Sequence, residues 1–314
     1  MPSELPQTPS VDLAPYIPQV EPYTPLLKKV PCATALTLSK FVSLGGQSYD
    51  GGIKRARMLR ELGASTVVLV GTSVDKRLEA VFKDPLRFVD ALTDAGVDIV
   101  LGPAFSIYRG RPTIEWLANR SRNLQLYRTL HEAGVQAVPA VGFIDSKHAD
   151  FVAGWVEDYG LSSVFLDLQS ADDDETWHHV CKALPAFISR ATVIRRLVIN
   201  GVAHPARVAE LGQLTEPLDL VLTNGNAFQL ARSGHDYFLV DGALRKLQTT
   251  ARATEVFDSL FNFYTEAALR RMEHYVAPPA QLRFRLRHAR ERRRESGARE
   301  STPRQTEFPL DPVD

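Results

Sequence analysis

Three aspartates stand at or just past the ends of apolar runs: Asp75, Asp145 and Asp167. Carboxylates from separate strands could supply both a nucleophile and a general acid or base to one site. Interspersed with them are side chains suited to a planar heterocycle or a sugar: Phe105, Ser106 and Tyr108, then Gln169, Asn200 beside Gly201, His204, Asn224 and Asn226. Amides would read hydrogen-bonding edges and an aromatic ring would stack. The three acids are not equivalent. Asp75 and Asp145 each precede a helical stretch, where a short acidic side chain ordinarily caps backbone N–H groups. Asp167 lies between Leu166 and Leu168 with no helix start beside it, so a carboxylate there needs a partner or a purpose. His204, before Pro205, also reads as a turn residue, and His178-His179 as the surface of a helix. Ser106 and Tyr108 fall in a loop closed by Pro112, the kind of segment where function concentrates.

What would position these residues is a strand–helix alternation. Apolar, β-type runs fall at 32–43, 66–70, 98–101, 136–141, 163–166, 196–199, 218–222 and 237–240. Helical patterns fall at 50–62, 85–95, 112–133, 148–159, 174–189, 205–214 and 257–275, several closed by glycine. Continuous apolar strands belong to parallel sheets covered on both faces. About eight of them over roughly 250 residues predict an α/β fold, a (β/α)8 TIM-like barrel, with chemistry at the carboxyl ends of its strands. An open doubly wound sheet is the runner-up; no GxGxxG follows the first strand, and no acid stands where a ribose partner belongs.

The alternation bounds three regions. Residues 1–28 carry Pro2, Pro6, Pro9, Pro15, Pro18, Pro22 and Pro25 without periodicity, and read as an extended or unstructured arm. Residues 29–276 are the barrel. Residues 277–314 form a basic tail whose segment 281–294 sets Arg283, Arg285, Arg287, Arg290, Arg292, Arg293 and Arg294 against a single acid, Glu291. Such a run is either a solvated extension or a contact for a phosphate backbone, by a salt-sensitive attraction blind to sequence.

Composition excludes several classes. The chain has 314 residues, 44% hydrophobic and 24% charged, with zero formal net charge, the profile of an ordinary globular protein. Because the tail is basic, the rest is net acidic. Two cysteines, Cys32 and Cys181, without a CxxC or Cys/His cluster, argue against a disulfide framework and a structural zinc site. No apolar run approaches ~20 residues and the opening MPSELPQTPS is no signal peptide, so a cytoplasmic protein without a membrane partner is expected.

The second half of the chain resembles the queuine-type tRNA-guanine transglycosylases. Asn200-Gly201-Val202-Ala203-His204-Pro205 is similar to that family's strand ending in Gly-Val-Gly-x-Pro. Ala231-Arg232-Ser233-Gly234-His235, with Phe238 and Val240-Asp241-Gly242, is similar to its Ala-Arg-Asn-Gly-His…Phe…Asp-Gly run. Asp98-Ile99-Val100 and a helix with Arg120 and Arg122 follow the same order. The family's zinc ligands are absent, its nucleophilic aspartate falls at Thr223 or Asn224, and its other aspartate falls near residues 104–105. A zinc-less relative resembles the DNA-modifying branch of phages and genomic islands, which exchanges guanine in DNA for a 7-deazaguanine of the preQ0 type. The fragment Ser106-Ile107-Tyr108…Pro112…Asn119-Arg120…Arg122 also resembles uncharacterised mobile-element proteins.

The resemblance implies DNA and a 7-deazaguanine base as partners, no cofactor, and a location in the cytoplasm, the host's if phage-encoded. It also implies a base flipped out of the stack, read by Asn200, Asn224, Asn226 or Gln169 and stacked on Tyr108 or Phe105. Either Asp145 or Asp167 takes over the covalent role, or the chain is a non-catalytic subunit that binds DNA or a catalytic partner. A barrel acting on a free nucleoside or small metabolite is the third reading. A monomer, a homodimer and a complex with a partner subunit all stay open.

Overall fold

The computed structural model describes residues 13–23, 27–107, 111–240 and 243–269. In chain order the elements are β1 (Tyr16–Pro18), β2 (Ala33–Thr37), α1 (Leu38–Phe41), α2 (Asp50–Glu61), β3 (Thr66–Thr72), α3 (Asp75–Lys83) and α4 (Pro85–Ala95). Then come β4 (Ile99–Ala104), α5 (Thr113–Glu132), β5 (Gln136–Val138), β6 (Ala140–Val141), α6 (Ser146–Asp158), β7 (Ser163–Asp167) and α7 (Asp174–Arg190). The last are β8 (Arg196–Asn200), α8 (Pro205–Leu214), β9 (Asp219–Asn224), α9 (Asn226–Ser233), β10 (His235–Val240), β11 (Ala243–Gln248) and α10 (Ala253–Ala268).

Local chemistry explains several boundaries. In α4, Asp84 accepts the Arg87 N–H at 3.2 Å, Pro85 occupies the first turn, and Gly96 ends the helix at φ 65°. Asp173 caps α7 through the Thr176 N–H at 2.8 Å. The apolar run of β3 is buried from Val67 to Thr72, as expected of a strand covered on both faces.

β1 to β9 pair in parallel, in two sheets. One has the order β2-β3-β4-β5 and the other β1-β9-β8-β7-β6. Only Pro139 separates β5 from β6. Proline has no N–H to donate, and its carbonyl accepts the Phe165 N–H at 2.9 Å as pairing passes from β4 on one side to β7 on the other. Between β1 and β2, Gln19 bridges Ala35 in parallel sense, and Val20 N donates to Ala35 O at 3.1 Å.

Two apolar clusters follow from the period-2 alternation of the strands. The smaller takes a side chain from each of β1 to β9, among them Ile17, Ala35, Leu101, Phe165, Val198 and Val221. The larger packs the helices against the opposite strand faces, through residues such as Leu36, Val67, Leu69, Val164, Leu166 and Leu197. Each such side chain removed from water contributes about 1.5–3 kcal/mol.

Two expectations need correction. Residues 237–240 are not the last strand of the parallel set: they belong to β10, an antiparallel hairpin partner of β11, with His235 opposite Gln248. The arm, in turn, is not all surface: its Tyr16–Pro18 form a fully buried strand parallel to β9. Proline spacing concealed it, yet Pro15 needs no N–H to accept from Leu222 (2.9 Å), and Gln19 supplies the N–H that reaches Asn224 O (2.9 Å). The helix expected over 257–275 is α10, described as far as Ala268.

Candidate functional site

One step beyond the smaller apolar cluster, five of the parallel segments turn a polar residue the same way. Gln19 follows Ile17 by two positions, Thr72 follows Val70, Asp167 follows Phe165, Asn200 follows Val198 and Thr223 follows Val221. These residues meet at the carboxyl ends of the strands. Asp167 and Asn200 are register partners in the β7–β8 ladder, and Asn200 Nδ2 donates to Asp167 Oδ1 at 2.8 Å. The same nitrogen lies 3.4 Å from Thr72 Oγ1. Gln19 Nε2 donates to Asn200 Oδ1 at 2.7 Å and reaches Thr223 Oγ1 at 3.4 Å. Thr72, Asn200, Thr223 and Gln19 are all buried.

Burial pushes the Asp167 carboxyl up to about 6, against the weaker downward pull of the Asn200 N–H and the Gln169 backbone N–H. A carboxyl that titrates there is largely ionised at neutral pH and still able to take a proton. Among the described residues its Oδ2 takes no hydrogen bond, and Asp167 lines a cavity of about 290 Å³ together with Phe105, Ser106 and His179. A second cavity of about 390 Å³ opens beside it, lined by Gln169, Gly201, His204, Trp177, Arg207 and Glu210. Gly201 lets the two loops meet. Its φ is +90°, and a Cβ there would fall 2.5 Å from Gln169 Cγ and 2.7 Å from the Gln169 backbone nitrogen.

The other acids stand apart. Asp145 is exposed and caps α6, accepting the His148 N–H at 2.9 Å. Asp75 is exposed in the first turn of α3, where its charge suits the helix dipole. Neither lines the cavity that Asp167 lines. Of the three acids, Asp167 lines this cavity, while Asp75 and Asp145 sit at helix starts.

The amides divide in the same way. Asn200 belongs to the cluster. Asn224 is taken up by the fold: its Nδ2 donates to Val202 O (2.9 Å), and its Oδ1 accepts from Tyr16 (3.1 Å) and from the Asn226 N–H (2.9 Å). Asn226 Nδ2 reaches Tyr264 at 2.5 Å and Tyr237 at 3.3 Å, and Tyr264 in turn donates to Ala203 O at 2.7 Å. Asn226 braces the turn after β9 against α10, while Asn224 ties the end of β9 to Val202 and Tyr16. Phe105 is buried, edge-on to Phe82 at 6.1 Å and under the Arg122 guanidinium at 5.3 Å. Tyr108 lies outside the described residues, as do Arg283, Arg285, Arg287, Arg290, Arg292, Arg293 and Arg294.

The sequence reading missed Gln19 and Thr72, met Thr223 only as a position where the family's nucleophile falls, and gave no role to the two asparagines that hold the loop at Phe105. Asn123 Oδ1 accepts the Phe105 N–H at 2.7 Å and its Nδ2 approaches Phe105 O at 3.4 Å; Asn119 Nδ2 donates to Ser106 O at 2.9 Å. The available signal was their i,i+4 spacing on one face of a helix, beside a loop in need of partners. An aromatic run also marks this end of the fold: Trp116 stacks on His148 at 5.3 Å, His148 on the exposed Phe151 at 6.5 Å, and Arg120 covers Phe151 at 4.4 Å.

Among the described residues no group of three or more His, Cys, Asp and Glu side chains is placed to hold a metal ion, and no helix is long and apolar enough to cross a membrane. No family model matches the chain, and no curated protein matches it.

Proposed function

We propose that the two sheets close into a (β/α)8 barrel and that the chain is a base-exchanging glycosyltransferase replacing guanine in DNA by a 7-deazaguanine, with Asp167 as the reactive carboxylate. Closure is supported by the handover of pairing at Pro139, by the Gln19–Ala35 bridge, and by an apolar cluster fed from all nine parallel segments. The observation that carries the chemistry is Asp167: an acid at a strand's carboxyl end, titrating near 6, on the wall of a cavity. At about 290 Å³ that cavity is at the small end for ligand sites, which suits one flipped base rather than a duplex.

In this reading an Asp167 oxygen attacks the deoxyribose anomeric carbon as the C1′–N9 bond breaks. Guanine leaves with a proton gained on its ring, and the incoming deazaguanine loses its N9 proton as it displaces the carboxylate, so the exchange is proton-neutral overall. Asn200 holds one carboxylate oxygen while the other faces the substrate. The aromatic run from Trp116 to Phe151 offers stacking for unpaired bases, and the arginines of residues 283–294 offer a phosphate contact.

A second reading is a non-catalytic barrel that binds DNA or a catalytic partner. One observation favours it: a single carboxylate lines the cavity, where transfer to sugar carbons often uses two. Incubation with DNA and labelled 7-deazaguanine, followed by nucleoside mass spectrometry, separates the two. Incorporation by the intact chain that is lost in Asp167→Asn supports the enzyme; no incorporation, alone or with a partner subunit, overturns it and leaves the binding reading.

A further inference from the structure

Asn200 sits between Gln19 and Asp167, and its amide has two orientations of nearly the same shape, related by exchanging oxygen and nitrogen. In one, nitrogen faces Asp167 and donates to an ionised carboxylate. In the other, oxygen faces Asp167, which is tolerable only when the carboxyl keeps its proton and donates. The neighbours therefore choose. Thr72 Oγ1, 3.4 Å from Asn200 Nδ2, serves either orientation because a hydroxyl both donates and accepts. Gln19 is an amide as well, but it couples to Asn200: with its Nε2 donating to Asn200 Oδ1 at 2.7 Å it holds the carbonyl end, and Asn200 exchanges its ends only if Gln19 does so too or gives up this bond.

We propose that Gln19 is a positioning residue: by holding Asn200 Oδ1 it turns Asn200 Nδ2 onto Asp167 Oδ1, so that a segment at the start of the chain fixes the charge state of an acid 148 positions away. Gln19 is itself well held. It is buried, its backbone N–H donates to Asn224 O at 2.9 Å, it bridges Ala35, and Nε2 has a second contact at Thr223 Oγ1, 3.4 Å away. Among the described residues, no charged side chain is hydrogen-bonded to Asp167 or Asn200 in competition with Gln19. β1, β3, β8 and β9 bring only amides and hydroxyls to Asp167 and Asn200, and the titratable side chain that α7 adds to the cavity wall is His179. The importance of this for catalysis rests on Asp167 being the reactive carboxylate; the positioning does not.

The test is a 13C-detected pH titration of the Asp167 carboxyl in the full chain, its signal assigned with Asp167→Asn. Gln19→Met keeps the length of the side chain and removes the donor, and is expected to move the midpoint upward by about half a pH unit or more. Gln19→Glu sets a carboxylate against Asn200 Oδ1, favours the exchanged orientation, and is expected to move it further. Tyr264→Phe, which loosens the fold elsewhere, leaves the midpoint in place. An unmoved midpoint in a folded Gln19→Met overturns the proposal. Should that variant fail to fold, Gln19→Leu takes its place, since it also removes the donor without adding a charge, and its midpoint decides in the same way. Base exchange is measured separately: its absence in the intact chain removes the enzymatic reading, while a shifted midpoint would still establish the positioning.

Discussion

Asp167 and Asn200 face each other in register on neighbouring parallel strands, 2.8 Å apart, with the amide donating and the carboxylate accepting. That one contact joins a half-buried acid to a neutral partner instead of a cation. Loss of solvation raises its carboxyl above the ordinary range, and the Asn200 N–H offsets that rise only in part.

Asp167 should therefore leave a pH signature on stability. A carboxyl whose folded value is raised favours the folded state most below its unfolded value near 3.8, and this contribution is lost as pH rises through about 6. Asp167→Asn removes the dependence. Relative to the intact protein the variant should gain about 2 kcal/mol between pH 4 and pH 7.5, the cavity's solvent access reducing the full linkage. Urea denaturation at the two pH values checks this; equal differences at both would contradict the raised value.

Two glycines should respond in opposite ways to alanine. Gly201→Ala forces a side chain into a left-handed conformation, with its Cβ 2.5 Å from Gln169 Cγ, and is expected to cost about 2–4 kcal/mol. Gly154→Ala lies within α6 with nothing within 4 Å of the new methyl, and is expected to stabilise by roughly 0.5–1 kcal/mol. Thermal denaturation of the pair measures both.

Asn123→Ala should loosen the loop that lines the site. It leaves the Phe105 N–H buried without the acceptor now 2.7 Å away, at a cost of about 1–3 kcal/mol. Hydrogen exchange at the Phe105 amide should accelerate, while amides in the middle of β7 keep their protection.

The arginine tail should govern salt sensitivity. If residues 283–294 meet the phosphate backbone, changing Arg292, Arg293 and Arg294 to Gln should make the slope of log affinity against log salt shallower by about 2–3. Fluorescence anisotropy with a labelled DNA oligomer at several salt concentrations reads this directly. An unchanged slope would place those arginines away from DNA.

The amino-acid sequence by itself determined many of the elements. The run Val67–Val70 is apolar throughout, and helices such as α4 and α7 carry their own caps, so these elements depend on chemistry within a few residues. It also singled out Asp167, because no helix start beside it offered the carboxylate a local use. Asp145, by contrast, had its competing use written three residues away in the His148 N–H. Only the tertiary structure decided which side chains meet. Gln19 and Asn200 are 181 residues apart, and their contact exists because β1 lies beside β9 and β9 beside β8, a register that no local pattern specifies. The same dependence made a proline-rich arm supply a buried parallel strand and sent residues 237–240 into a hairpin. The alternation along one strand says that Asp167 shares a face with Phe165; only the neighbouring strands make that face the one where Gln19 and Asn200 are waiting.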